Sequence, residues 1–127
     1  MIYIWLNIVP ILAATAAGFL LSLVWLRRGR RMPSPGNAAI LLFAQAWLCA
    51  ILAGALILAP EEAGRWVMAL GTPVVIWAGF VLPSLFATLR LRGVGHARAL
   101  ADCLMWLAAT LLQAFVLESW GLVPPPG

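Results

Sequence analysis

The sequence predicts an all-α protein, a bundle of four membrane-spanning helices in antiparallel up-down hairpins, on three observations. The first is composition. Of 127 residues, 65% are hydrophobic and 9% charged, where a soluble domain has roughly 45–50% and about 25%; mean hydropathy is +1.04. The second is run length. Four apolar stretches, at about 2–26, 38–59, 66–89 and 98–120, each reach the ~20 residues a helix needs to cross a ~30 Å hydrocarbon core. The third is pattern. Only helices and closed barrels satisfy their backbone in lipid, and these runs lack the alternating polarity of barrel strands. Together they fill most of residues 1–127, so one integral membrane domain is expected.

The first stretch ends in an arginine cluster and has no positive residue before its apolar run. It therefore reads as a retained span, despite Ala14-Thr15-Ala16 resembling a signal cleavage site. Tyr3, Trp5 and Trp25 suit the interfacial aromatic belts. Pro10 is expected to kink the outer half. Ala14 and Gly18, a small-xxx-small pair, let another helix approach closely.

Arg27–Asn37, rich in Gly and Pro, breaks the chain, with Asn37 as the expected N-cap of the second span. In that span Ala46, Ala50 and Gly54 recur every four residues and form the best helix-contact stripe. The short outer loop Pro60–Arg65 makes the second and third spans antiparallel neighbours. Gly71-Thr72-Pro73 and Pro83-Ser84 interrupt the third span, so a bent helix is expected there. Three consecutive prolines give the chain an extended tail.

All eight basic residues are arginines, and seven lie in two loops: Arg27, Arg28, Arg30, Arg31, then Arg90, Arg92 and Arg98. A sequence pI near 10.6 therefore does not indicate nucleic acid, because no surface remains for a basic, base-stacking face. The positive-inside rule instead puts both loops on the cytoplasmic side of a bacterial inner membrane and both termini in the periplasm. Anionic lipid headgroups are natural neighbours of such loops.

Few side chains offer chemistry. Asp102 is the foremost candidate; it sits one turn inside the fourth span, where Arg98, four residues earlier, is expected to pair with it. Glu118 is expected to anchor at the outer interface or pair with Arg65. Gln113, deeper, needs a partner across the bundle, either Gln45 or a backbone carbonyl. His96 has no second histidine for a metal or haem site and reads as a solvated loop residue. Cys49 and Cys103 lack ligand spacing and read as small buried hydrophobes, with an intramembrane disulfide as the alternative. Trp47, Trp77 and Trp106 fall at mid-depth; they either line a common cavity for a lipid, quinone or pigment, fill the core, or face lipid. No nucleophile–base set, phosphate loop or carboxylate pair is present, and no cofactor is expected.

Trp77-Ala78-Gly79-Phe80 with Pro83, then Asp102, Trp106, Gln113, Val116-Leu117 and Trp120-Gly121, resemble a family of small four-span bacterial membrane proteins classed as a domain of unknown function. Asn7, Gly18 and Trp25 fit at comparable places. The family's aromatic stretch after the first span is replaced here by Arg27–Arg31. The resemblance implies the four-span topology and brings no activity with it.

The expectation is a non-enzymatic membrane protein that acts through lipids, other membrane subunits or copies of itself. The alternatives are a small transporter built from several four-span subunits, and a binder of lipid, quinone or pigment.

Overall fold

A computed structural model describes residues 2–59 and 64–124; positions 60–63 of the expected outer loop and the last three tail residues lie outside them. The described chain is helical: α1 (Ile2–Leu6), α2 (Ile8–Arg28), α3 (Pro35–Ile57), α4 (Arg65–Ile76), a π-helical turn at Trp77–Val81, α5 (Leu82–Leu91) and α6 (His96–Trp120). Four lengths are long and apolar enough to cross a membrane: α2, α3, the run Arg65–Leu91 and α6. This is a multi-pass membrane protein with the expected four-helix bundle.

The break between α1 and α2 falls at Asn7, not at Pro10. Proline cannot donate to Leu6, four residues back, and its ring crowds that carbonyl. The helix stops at Leu6 and restarts at Ile8, leaving Pro10 buried in the first turn of α2. The first basic turn begins with Gly29 after α2. Arg31 N–H bonds to the Leu26 carbonyl at 2.9 Å and Arg30 N–H to Arg27 at 3.1 Å, closing the helix with Arg30 in the left-handed region at φ 57°. Ser34, not Asn37, caps α3: its hydroxyl accepts from the Asn37 N–H at 3.3 Å, and Pro35 takes the first helical position, where its missing N–H costs nothing.

The core lies among α2, α3 and α6. Each buries one face at helical spacing: Ile11, Ala14, Thr15, Gly18 and Ser22 on α2, Gln45, Cys49, Leu52 and Ala53 on α3, and Ala99 through Leu117 on α6. The most extensive contact is between α2 and α6, and small residues are the reason. Gly18 faces Gln113 so closely that an added Cβ would lie 2.4 Å from its amide nitrogen. The Ala14/Gly18 pair thus works as its spacing predicts. The Ala46/Ala50/Gly54 stripe is displaced by one residue from the buried face of α3 and stays half-buried. Its Ala50–Gly54 end is covered within the chain by Tyr3, whose hydroxyl donates to the Ala50 carbonyl at 3.1 Å.

The third span sits outside this core. It touches α3 as expected, but leans mainly on α6. Its two prolines act differently. Pro73 is buried inside α4. Pro83 follows the π turn, which lets the backbone skip the bond that Pro83 cannot make. Ser84 donates to the Phe80 carbonyl in that turn. The expected interruption is therefore a change of helical pitch.

Candidate functional site

Polar groups inside the bundle form one connected seam. Gln113 Nε2 donates to Gln45 Oε1 at 2.7 Å; Gln45 Nε2 donates to Ser22 Oγ at 2.9 Å; the Ser22 hydroxyl donates to the Gly18 carbonyl at 2.9 Å. All three side chains are fully buried. Gln113 Oε1 alone has no partner among the described residues. Of the two partners the sequence offers Gln113, Gln45 and a backbone carbonyl, the structure shows Gln45. Nothing local marks Ser22, because a lone serine in an apolar run usually bonds back to its own helix, as this one also does. Only the register of α2 against α3 shows that its oxygen accepts a second bond.

The basic end holds a correction. Asp102 pairs with Arg31 from the first basic turn, not with Arg98. Arg31 Nη1 donates to Asp102 Oδ2 at 3.1 Å while Nη2 donates to Oδ1, a two-bonded fork. The physical reason lies in the closing turn after α2: with Arg30 left-handed, the chain reverses and brings Arg31 over α6. The carboxylate bond raises the Arg31 pKa above its ordinary value. Arg98, four residues along the same helix, has no carboxylate among the described residues and stands exposed. His96 is the first residue of α6 rather than a loop residue, and its ring lies 6.2 Å from that of Phe86.

At the opposite end Arg65 reaches Glu118, as expected, with Nε to the carboxylate and Nη2 to the Glu118 carbonyl at 2.8 Å. Asn7 clamps the chain's two ends together there. Its Nδ2 donates to the Val123 carbonyl at 2.7 Å, and its Oδ1 accepts from the Val123 N–H at 2.6 Å. Nδ2 also donates to the Tyr3 carbonyl at 2.9 Å, the same oxygen that accepts the Asn7 backbone N–H at 3.0 Å. Asn7 is 1% exposed. Its role is invisible to local reading because its partner is 116 residues away.

No protein-family model, curated protein or solved structure matches this chain. Its own geometry must therefore carry the functional reading.

The three mid-depth tryptophans do not share a cavity among the described residues. Trp47 is 61% exposed and stacks on Phe43 with ring centroids 6.1 Å apart. Trp77 donates its indole N–H to the Cys103 carbonyl at 2.7 Å, fastening the π turn to α6. Trp106 lines a shallow groove of about 440 Å³ between α3 and α5, with Ala44, Leu48, Phe80 and Leu85. The reason is rotational: each indole sits on a differently turned helix face. Both cysteines are buried free thiols, as their small-hydrophobe reading holds, so the disulfide alternative does not form. No cluster of His, Cys, Asp or Glu suited to a metal occurs among the described residues.

Proposed function

We propose that this chain is a non-enzymatic accessory protein of a bacterial inner membrane, acting through lateral contact with another membrane protein or a second copy. Both termini would face the periplasm. What supports the topology is that both arginine-bearing turns share one end of the bundle, while Asn7 and Val123 meet at the other.

The observation that carries the functional reading is the third span. From Val74 to Leu91 it contributes no buried residue to the monomer. Polar groups tie the rest of the chain together, Arg31 to Asp102, Gln45 to Gln113 and Asn7 to Val123, while the third span is tied at its first residue, Arg65 to Glu118. They make a fixed frame, on which a helix that packs on one side only presents Phe80 and its neighbours outward. Phe80 is 75% exposed. The same bonding gives a transporter little to work with, since both described carboxylates are held by arginines near the span ends. The Ala46/Ala50/Gly54 stripe does not add to the reading, because Tyr3 covers part of it.

Photo-crosslinking from position 80, in native membranes, tests this. A discrete protein adduct of fixed mass is expected, with a control at Val9, an exposed position on α2 outside the α2–α6 groove, giving no protein adduct. A protein that is monomeric in detergent and yields only lipid adducts from position 80 would overturn it.

A further inference from the structure

A groove runs along the outside of the α2–α6 contact, with a volume of about 770 Å³. Its floor is made by small residues, Ala17 and Ala101, and its walls by Leu20, Leu21, Val24 and Leu112. Arg28, Arg31 and Arg98 stand together at its mouth. From Ala17 to Arg28 the groove follows α2 for about 16 Å at 1.5 Å per residue. That matches one leaflet of a ~30 Å hydrocarbon core.

The charge at the mouth is unbalanced. Asp102 is bound by both nitrogens of the Arg31 fork, so that pair is neutral. Arg28 and Arg98 keep their full charge, with no carboxylate partner among the described residues. Two guanidinium groups beside an apolar channel of leaflet length complement an amphiphile with an anionic phosphate head and a hydrocarbon tail. Guanidinium also favours phosphate for its paired N–H geometry.

We propose that this groove is a binding site for one anionic phospholipid, its phosphate held by Arg28 and Arg98 and one acyl chain lying on Ala17 and Ala101 between α2 and α6. The site does not depend on the lateral-contact reading. Its selectivity comes from the two free arginines; the other basic residues at this end, such as Arg27 and Arg92, do not line the groove.

The test is native mass spectrometry of the full chain released from mixed micelles containing equal phosphatidylglycerol and phosphatidylcholine. One retained phosphatidylglycerol per chain is expected, in clear preference to phosphatidylcholine. Arg28→Gln with Arg98→Gln should weaken retention by about thirtyfold, following the usual gain per basic residue at an anionic surface. Arg27→Gln with Arg92→Gln removes the same charge from the same end and should change it less than about twofold if only the groove arginines act. Glycerol phosphate, a headgroup without chains, should not displace the lipid. Equal retention of the two lipids, equal loss in both double variants, or displacement by glycerol phosphate would each overturn the site.

Discussion

The third and fourth spans are equally apolar by mean hydropathy, yet 39% of the most apolar stretch of the fourth is buried and none of the third. Hydropathy therefore does not decide which helix is central. What differs is where small and polar residues fall. Along α6, Ala99, Cys103, Ala109, Thr110, Gln113 and Ala114 hold one face, and α2 answers with Ala14, Thr15, Gly18 and Ser22. In lipid, helices gain little from burying leucine against leucine; close approach and shared hydrogen bonds draw them together. The third span has glycines too, but Gly71 and Gly79 face open space. Small residues matter only where something comes to meet them.

The sharpest way to break this contrast is the same substitution in both spans' neighbourhoods. Gly18→Ala drives a methyl group into the Gln113 amide, which is itself fixed by Gln45 and cannot swing aside. Overpacking and the disturbed bond should together cost about 3 kcal/mol. Gly79→Ala meets nothing and should stabilise by about 0.5–1 kcal/mol through helix propensity. Unfolding titrations in mixed detergent micelles measure both. A Gly18→Ala protein as stable as the parent would remove the α2–α6 contact from its central place.

The polar seam gives the next effect, and it should be asymmetric. Gln45→Leu strips the partner from Gln113 Nε2, whose other amide atom already lacks one, and should cost about 1–3 kcal/mol. Gln113→Leu exchanges one orphaned oxygen for another and should cost less than about 1 kcal/mol. The double leucine variant should be milder than the sum of the two, since no amide is then left unpaired. Equal single effects that add without coupling would mean the two amides do not bond.

Much of this was legible in advance, and the limits are physical. Span count, the two basic turns, the Ala14/Gly18 approach, and the Gln45–Gln113 and Arg65–Glu118 pairs follow from run length, depth and spacing, which sequence states directly. Arg31 was hidden behind Arg98, because spacing four residues along one helix is visible and a chain reversal at Arg30 is not. Asn7 and Ser22 find their partners through tertiary register. Position along a span says nothing about rotation about the helix axis, which turns Trp47 outward and Trp77 onto α6.

Trp77 offers a finer cut between the two spans. Its indole bond to the Cys103 carbonyl is the side-chain hydrogen bond that fixes the π turn to α6. Trp77→Phe keeps the ring and removes the donor, at about 0.5–1.5 kcal/mol. Amide exchange should then quicken in Val81–Leu91 while Ala99–Leu117 stays protected. Faster exchange spread evenly through α6 would show that the third span is part of the core after all.

The smallest effect should be stabilising, like that of Gly79→Ala, and it compares the turns that leave α2 and the third span. Both close the same way: Val94 N–H bonds to Leu89 and Gly93 N–H to Arg90, as Arg31 bonds to Leu26 and Arg30 to Arg27. The left-handed residue is Gly93 in one, at φ 84°, and Arg30 in the other, at φ 57°. A side chain there costs roughly 1–2 kcal/mol, offset in part by the greater freedom glycine has when unfolded. Arg30→Gly should therefore stabilise by up to about 1 kcal/mol, with Arg31 still on Asp102. The matched Gly93→Arg should lose a similar amount. If Arg30→Gly instead destabilised, the Arg30 side chain would have to hold a contact that outweighs its strained backbone, and the two turns would not be equivalent.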